Sequence, residues 1–467
     1  MKKSFTSSDE VFEWISGFIN LERGQKPKSF RLDRMEFLAE LAGRPERCAP
    51  SIHIAGSKGK GSVTGMLAAI LTAAGFRTAR YMSPHVVDIR ERLCLGNSYF
   101  DEEVYCAAGN ELRHITEVQL PSASNPAVSL FDNTTADGCE PTFWELLTLL
   151  FFLCARNARC DVMVVETGMG GRLDSTNILD PLVSVITLIE LEHTAILGNT
   201  ISAIAGEKAG IIKQGKPLVL AKQNDEALEV FRKKAEEKNS PLFYFPDIAE
   251  ILNLTVTDNG TEFTLSNKDS LFYVPNTSFT ITIPGKVQAE NAALAIAAVK
   301  IAFPAISEDT IKQGLKNLNI PGRFEQIALP NEPPFIIDGA HTPESLTLCL
   351  ETFCSLYGEG GILLFGCAAD KDAAAMAKVA HSRFAKIIIT TPGSFKVSNP
   401  VSVYNAFAAQ TGSEKTILVE DTQEAVKQAV LFSRQNKAHG EKGKILPILG
   451  TGSFYLVSEI RKIITSS

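Results

Sequence analysis

The sequence predicts an α/β protein with two consecutive domains. Strand-like runs alternate with helical runs from Ser51 onward, a pattern typical of a mostly parallel sheet with helices on both faces. A second alternating series follows Pro321-Gly322 and predicts a Rossmann-like, doubly wound α/β domain. The length of 467 residues also favours two or three domains, because a single hydrophobic core rarely organises so long a chain.

A glycine-rich turn follows the first predicted strand, Ser51–Ala55, and reads Gly56-Ser57-Lys58-Gly59-Lys60-Gly61-Ser62. Apolar residues then recur at helical spacing, at Met66, Leu67, Ile70 and Leu71. Backbone amides in such a turn, with the positive end of the following helix, form a cradle for phosphate. Lys60 would neutralise the outer phosphates, and the Ser62 hydroxyl could reach a magnesium ion. The loop is shorter than the standard G-x-x-x-x-G-K-[ST] pattern, so a tight turn without a ligand is the alternative.

Three further strand-like runs extend the first parallel sheet: Asp161–Glu166, Val183–Leu188 and Pro217–Ala221. The apolar run Phe143–Ala155 is short for a membrane span and contains Glu145, so we predict a buried helix there. Between Gln119 and Pro141 the chain is rich in Ser, Asn, Pro and Ala, which predicts a long surface loop.

A small antiparallel β unit is predicted next. Asp258-Asn259-Gly260 joins two short strand-like runs, Leu252–Thr257 and Thr261–Leu265, and Asn-Gly between such runs is a strong hairpin signal. Other elements are expected in this part of the chain, namely short strands at Phe272–Val274 and Phe279–Ile283 and an alanine-rich helix at Gln288–Phe303.

The C-terminal series supplies the second domain. Its strand-like runs are Phe335–Asp338, Ile362–Gly366, Lys386–Thr390, Thr416–Val419 and Ile445–Leu449. Intervening stretches such as Glu344–Leu356 and Thr422–Phe432 suit helices. We place the domain boundary near Leu318–Pro321 and expect a ligand cleft between the domains.

Composition excludes several classes of function. The hydrophobic fraction of 45% and the charged fraction of 21% are those of a soluble globular protein. A net charge of −7 without a long Lys/Arg block argues against a nucleic-acid partner, and no apolar run is long enough to predict a membrane span. The nine cysteines form no C-x-x-C pair and no cluster at zinc spacing, which indicates reduced thiols and a cytoplasmic protein.

Charged residues follow several predicted strands, at the edge where open α/β sheets bind ligands. Glu166 ends one strand, and an acid in that position of a nucleotide site commonly holds Mg²⁺. His193 lies where a second metal ligand would be expected. Each feature has a structural alternative: Glu166 as a helix cap, His193 as a polar strand end, Lys208 as a solvated charge near a helix C-terminus, and Asp338–His341 as a turn built on Asp-Gly.

Taken in order, a series of motifs resembles the folylpolyglutamate synthase/dihydrofolate synthase branch of the Mur ligase superfamily, and the match spans nearly the whole chain. The motifs are Phe30–Met35, Gly56–Ser62, Ser83-Pro84-His85-Val86, Arg90-Glu91-Arg92, Thr142–Glu145, Glu166–Asn177, Glu192-His193-Thr194, Glu207–Ile211, Gln288–Ala292, Pro321–Glu325, Asp338–Pro343 and Gly452–Tyr455.

The resemblance implies ATP and Mg²⁺ as cofactors. The implied ATP contacts are Lys58, Gly59, Lys60, Gly61, Ser62, Asn291, Arg323 and Asp338, with His341 close to the nucleotide. The implied magnesium ligands are Ser83, Glu166 and His193. Lys208 matches a lysine that is carbamylated in this family, and we assign catalytic roles to Lys60, Lys208 and His341.

The implied activity is an ATP-dependent, ADP-forming ligase that adds L-glutamate to a folate, to dihydropteroate, or to both, through an acyl phosphate. The implied acceptor contacts are Thr142, Phe143, Trp144, Glu145, Leu173, Asp174 and Ser175. Residues 1–318 would form the central ATP-binding domain and residues 319–467 the glutamate ligase domain, with a hinge near Leu318–Gly322. We expect a cytoplasmic monomer.

Some positions depart from the family pattern. Ser57 and Lys58 replace Thr and Asn, Glu190 replaces Gly, and Glu192 replaces Asp. Arg31 likewise replaces Gly, and Thr342 replaces Asn. Three alternatives therefore stay open: another Mur-type amide ligase, a P-loop kinase or NTPase, and a non-catalytic binding protein. The kinase would consume ATP without glutamate, whereas a ligase depends on it.

Overall fold

The computed structural model describes residues 3–20, 30–120, 141–268, 276–328, 332–393, 396–435 and 445–465. Within them, the largest sheet has eight strands: β1 Ser51–Ala55, β2 Thr78–Tyr81, β3 Leu93–Leu95, β4 Ser98–Tyr99, β5 Val162–Glu166, β6 Val183–Ile186, β7 Leu218–Leu220 and β8 Leu242–Tyr244. Their spatial order is β4-β3-β2-β5-β1-β6-β7-β8. All pairs from β2 to β8 are parallel, while β3 and β4 are added antiparallel at one edge.

Helices cover both faces of this N-terminal sheet. They are α1 Ser8–Ser16, α2 Leu32–Leu41, α3 Lys60–Ala73, α4 Glu102–His114, α5 Phe143–Asn157, α6 Thr194–Leu197, α7 Ile201–Lys208, α8 Asp225–Glu237 and α9 Phe245–Ile248. Single 3₁₀ turns occur at Pro45–Arg47, Ile89–Arg92, Ser175–Ile178 and Ala209–Ile211, and a π-helical turn at Ile115–Gln119 follows α4.

A three-stranded antiparallel sheet and two helices follow. The elements are β9 Ala249–Thr257, β10 Gly260–Asn267, β11 Thr277–Ile281, α10 Lys286–Ala302 and α11 Glu308–Lys316. Both helices pack against α3. The buried residues of α10 are mostly alanines, and their small side chains allow the backbone of α10 to approach α3 closely.

The C-terminal sheet has six strands within the described residues. They are β12 Glu325–Ile327, β13 Phe335–Ile337, β14 Gly361–Phe365, β15 Phe384–Ile389, β16 Thr416–Leu418 and β17 Ile448–Thr451, in the order β12-β13-β17-β14-β15-β16. Only β12 is antiparallel to its neighbour. The accompanying helices are α12 Pro343–Tyr357, α13 Ala373–Ala380, α14 Pro400–Thr411, α15 Thr422–Gln435 and α16 Phe454–Thr465.

The predicted fold class is confirmed: a mostly parallel N-terminal sheet, a small antiparallel β unit and a C-terminal Rossmann-like sheet. The run at Phe143–Ala155 is a buried helix as predicted. The predicted strand Ile445–Leu449 begins three residues late, at Ile448. The segment between Gln119 and Pro141 lies almost wholly outside the described residues, as does the predicted strand Phe272–Val274.

The apolar core is continuous between the two large sheets. One cluster runs from β1 and α3 through α10 and the small β unit into the C-terminal sheet, where it includes Ile336, Leu363 and Leu449. On the opposite face of β1 the N-terminal sheet buries two separate clusters, one around α5 and one around α7 and α8. In the part of the chain that the structure describes, no helix combines the length and apolar character needed to cross a bilayer.

We predict that Gly314→Ala lowers the thermal unfolding midpoint, because a Cβ at Gly314 would lie 2.5 Å from the Ile70 Cα of α3. Overpacking of this kind costs roughly 1–3 kcal/mol. The matched control is Gly206→Ala on α7, where no atom lies within 4 Å of the added Cβ. There the helix should gain about 0.5–1 kcal/mol. Circular dichroism melts of both variants measure the difference, and equal midpoints would contradict the packing of α11 on α3.

Candidate active site

The turn between β1 and α3 forms the floor of the candidate site. Gly59 precedes α3 with a φ of 87°, a conformation that glycine adopts without strain. A Cβ at Gly59 would lie 2.3 Å from Asn291 Oδ1 of α10. A Cβ at Gly56 would lie 1.8 Å from the Thr187 hydroxyl at the end of β6. The turn is therefore held tightly from two sides, and only glycine fits at these two positions.

Lys60 is positioned over this turn. Its Nζ donates to the Gly56 carbonyl oxygen at 2.7 Å and lies 3.4 Å from the Ser57 carbonyl oxygen. Ser57 in turn donates its hydroxyl to the Glu190 carbonyl oxygen at 3.0 Å. Ser62 is buried in the first turn of α3. The first turn of α3 and the Lys60 ammonium therefore lie together at this turn, and the phosphate cradle formed by them stays a prediction.

Glu166, at the end of β5, lies beside the cradle. The Ser83 backbone N–H donates to Glu166 Oε2 at 3.2 Å. A Cβ at Gly61 would lie 3.6 Å from Glu166 Oε2 and 3.3 Å from Arg323 Nη2. Burial raises the pKa of Glu166 to about 7, while the Lys60 charge lowers it. Glu166 and Ser83, predicted as metal ligands, are therefore neighbours beside the turn Gly56–Ser62, which we call the phosphate turn.

Lys208, the last residue of α7, is buried at the opposite side of the turn. Its Nζ donates to the Gly56 carbonyl oxygen at 2.7 Å and to Glu192 Oε1 at 2.6 Å. Burial, with repulsion from Lys60, lowers the pKa of Lys208 to about 8. Burial would raise the pKa of Glu192, but the charges of Lys60 and Lys208 lower it to about 2. His193 follows Glu192 with a left-handed φ of 47° and is the residue immediately before α6.

The C-terminal domain contributes three polar side chains to this site, those of Arg323, Asp338 and His341. Arg323 stacks on Phe454, with its guanidinium carbon 4.1 Å from the ring centroid. Asp338 accepts backbone N–H bonds from Phe324 and Ala340, both at 2.8 Å. His341 Nδ1 lies 2.7 Å from the Gly339 carbonyl oxygen. Burial and the nearby Lys58 charge lower the pKa of His341 to about 3.

The predicted acceptor residues lie at the start of α5 and in the loop after β5. Thr142 caps α5 together with Glu145 in a capping box, and Phe143 is buried. Trp144 lies 5.2 Å from the Arg92 guanidinium carbon. Leu173, Asp174 and Ser175 are half-buried. Their role as acceptor contacts stays a prediction.

Two family models match the chain: the Mur ligase middle domain over residues 123–299 and the Mur ligase glutamate ligase domain over residues 322–440. The dihydrofolate synthase/folylpolyglutamate synthase of Bacillus subtilis is 33% identical over 98% of this chain and 99% of that protein. The chain belongs to the folylpolyglutamate synthase/dihydrofolate synthase family of Mur ligases.

Solved structures of folylpolyglutamate synthases have the same fold as this chain. Folylpolyglutamate synthase from Mycobacterium tuberculosis complexed with ADP superposes with a TM-score of 0.84 at 26% identity, covering 98% of each chain. The Thermotoga maritima enzyme gives a TM-score of 0.79 at 27% identity, covering 98% of this chain and 97% of that one. As a member of this family, the chain is a carbon–nitrogen ligase that uses ATP to join an acid and an amino acid, a folate and glutamate.

Sequence reasoning missed two partners of the predicted site residues. Arg34 of α2 forms a buried ion pair with Glu145, with Nε 2.9 Å from Oε1 and both side chains 4% exposed. Glu145 also accepts from the Thr142 backbone at 2.7 Å, so its carboxylate is engaged within the protein. In the sequence, Glu192 is recognisable only as part of the Glu192-His193-Thr194 motif and as a departure from the family pattern, and neither indicates its contact with Lys208. Local spacing in the sequence predicts neither pair, because 111 residues separate Arg34 from Glu145 and 16 separate Glu192 from Lys208.

We predict that Arg34→Met strongly destabilises the chain, because it leaves the Glu145 charge buried without its partner. Breaking a buried pair in this way costs about 3–5 kcal/mol. The double variant Arg34→Met/Glu145→Gln removes both charges and should recover a large part of the loss. Unfolding midpoints of the wild type and both variants test this, and a double variant no more stable than Arg34→Met would contradict it.

Proposed function

We propose that the chain phosphorylates the terminal carboxylate of a folate or of dihydropteroate with ATP and then joins L-glutamate to it, releasing ADP and phosphate. One observation carries the proposal: Arg323 of the C-terminal part lies against Gly61 of the phosphate turn. Groups from both domains therefore face the position that the transferring phosphoryl group would occupy.

The reaction needs an activated carboxylate, because a carboxylate is a poor electrophile. A carboxylate oxygen of the acceptor attacks the γ-phosphorus of ATP, ADP leaves, and an acyl phosphate forms. The glutamate amine then attacks the acyl carbon, and inorganic phosphate leaves with the former carboxylate oxygen. Lys60 and Arg323, fixed by contacts within the protein, stabilise the negative charge that develops on the phosphoryl oxygens.

The residues around Glu166 fit a hard divalent cation. Ser62, Ser83 and Glu166 offer hydroxyl and carboxylate oxygens next to the phosphate turn, and Mg²⁺ prefers such oxygens together with substrate phosphates. When bound, Mg²⁺ would neutralise phosphate charge there. His193, next to Glu192 and within the electrostatic influence of Lys60, is the remaining candidate ligand. Among the described residues, no group of three or more His, Cys, Asp or Glu side chains is placed to hold a metal by itself, so we expect nucleotide-dependent metal binding.

Carbamylation of Lys208 is part of the proposal. Only the neutral amine reacts with carbon dioxide, and a pKa lowered to about 8 by burial keeps a usable fraction of Lys208 neutral near pH 7.5. The carbamate would place a second carboxylate-like group beside Glu192.

We assign the acceptor to the surface formed by Trp144 and Leu173–Ser175, and glutamate to the side of the C-terminal domain near His341. Closure about Leu318–Gly322 would bring the glutamate amine to the acyl phosphate and exclude water. We place the boundary of the two domains at residues 318 and 319. We further propose that the chain works as a cytoplasmic monomer; its nine cysteines, which form no C-x-x-C pair, support a reducing compartment.

A single assay tests the function: purified protein with ATP, Mg²⁺, labelled glutamate and either dihydropteroate or tetrahydrofolate. We expect ADP release that depends on both glutamate and the acceptor. Lys60→Ala and Glu166→Gln should each lower the rate by about 10²–10³-fold, because each removes a group that stabilises the phosphoryl transfer.

The matched control is Lys234→Ala on α8, which removes a half-buried lysine whose partner is Glu237 on the same helix. Its rate should equal that of the wild type. Glutamate-independent ADP release would favour a kinase or NTPase instead. Unchanged turnover in both Lys60→Ala and Glu166→Gln would reject the ligase site described above.

A further inference from the structure

A chain of three polar side chains crosses the apolar interior behind the acceptor surface. It begins at His53, in the middle of β1, whose ring is completely buried. His53 Nε2 lies 2.8 Å from the Thr176 hydroxyl oxygen. The Thr176 hydroxyl lies 2.5 Å from Asp174 Oδ1. His53 faces away from α3, between the apolar cluster around α5 and the cluster around α7.

The direction of the hydrogen bonds follows from the donors available. The Asp174 carboxylate only accepts, so the single Thr176 hydroxyl proton goes to Asp174. Thr176 must then accept from His53, which therefore carries its proton on Nε2. Burial lowers the pKa of His53 to about 3, so the ring is neutral and Nδ1 is left as an acceptor. Among the described residues, Nδ1 has no hydrogen-bond partner.

The other end of this chain fixes the loop after β5. Asp174 Oδ2 accepts from the backbone N–H groups of Gly168 and Met169, at 2.9 Å and 3.0 Å. Oδ1 also accepts from the Thr176 backbone at 3.0 Å. The carboxylate thus ties the Gly168–Met169 backbone to the Ser175–Ile178 turn. A Cβ at Gly168 would lie 3.5 Å from the Trp144 ring. The hydrogen-bonded series that begins at His53 therefore ends next to Trp144.

Stability alone does not explain this arrangement. A buried ring nitrogen without a partner is unfavourable, and a leucine in the middle of a central parallel strand would avoid that loss. What His53 supplies and an apolar residue cannot is a donor that orients the Thr176 hydroxyl toward Asp174. Without it, the hydroxyl can rotate and the carboxylate loses one of its four internal donors.

We propose that His53 and Thr176 are positioning residues for the acceptor substrate, holding Asp174 and the Gly168–Met169 backbone in the shape that receives a pterin-type ring against Trp144. They touch no reacting atom and act through Asp174. The proposal rests on the proposed function, since it assigns these two residues to its acceptor site.

The test compares four variants by steady-state kinetics. His53→Leu and Thr176→Val each remove one member of the chain, and His53→Gln keeps an N–H donor at similar reach. Thr416→Val is the control, because Thr416, in strand β16 of the C-terminal sheet, is equally buried and its hydroxyl bonds to the Thr411 hydroxyl at the end of α14. We expect His53→Leu and Thr176→Val to raise the KM for the acceptor about tenfold, with the KM for ATP within about twofold of wild type.

The conservative variant His53→Gln and the double variant distinguish a positioning role from a general loss of protein stability. His53→Gln should restore the acceptor KM to within about threefold of wild type, and the His53→Leu/Thr176→Val double variant should be no worse than either single variant. Thr416→Val should leave the acceptor KM unchanged even where it lowers the melting temperature. Additive effects of the two changes, or an acceptor KM that stays at the wild-type value in both, would overturn the proposal.

A binding measurement keeps the result independent of turnover. The sequence has two tryptophans, so a Trp14→Phe background leaves Trp144 as the fluorescent reporter. Titration with dihydropteroate or tetrahydrofolate without ATP should give a Kd that Thr176→Val raises about tenfold. If this shift is seen while the wild type shows no glutamate-dependent turnover, the positioning role stands and the ligase function fails. If Thr176→Val binds both acceptors as tightly as the parent, the positioning role is wrong.

Discussion

The contact of Arg323 with the phosphate turn is the constraint on which the site depends. The segment that carries Arg323 is fixed to the C-terminal sheet, because the Gly339 N–H donates to the Gly322 carbonyl oxygen at 3.0 Å and the Phe324 N–H donates to Asp338 at 2.8 Å. The guanidinium nevertheless reaches Gly61 at the start of α3. One rigid cation thereby links two sheets whose strands are far apart in sequence, and it does so at the position where phosphate is expected.

Burial sets the charge state of the groups around this contact. Glu192 stays ionised because Lys60 and Lys208 outweigh the cost of burying it. Burial shifts Glu166 and Lys208 the other way, raising the pKa of the acid and lowering that of the lysine. Groups poised in this manner respond strongly to a bound polyanion and its metal, which is a property of functional sites. The same low dielectric strengthens the attraction between Arg34 and Glu145, and this buried pair joins α2 to the start of α5.

Much of the fold could be predicted because its signals are local. The apolar run of β1, the glycine turn and the helical spacing of α3 all lie within about twenty residues. The β9–β10 hairpin is predicted by its own turn residues, Asn259-Gly260. The sequence analysis does not predict the strands β2, β3, β4, β8 and β12, each of which has only two to four residues, too few for a pattern of their own. In the site, glycines and strand-end charges could be recognised, but long-range pairs such as Lys208 with Glu192 and His53 with Thr176 could not. Their geometry arises only when distant segments pack.

Oxygen transfer tests the central claim, activation of a carboxylate between the two domains, most directly. The acceptor is prepared with ¹⁸O in its terminal carboxylate and incubated with the enzyme, ATP, Mg²⁺ and L-glutamate, and the released phosphate is analysed by mass spectrometry. An acyl phosphate requires that one ¹⁸O atom pass to inorganic phosphate for each amide bond formed. Phosphate without ¹⁸O, accompanied by amide formation at the normal rate, would contradict the account.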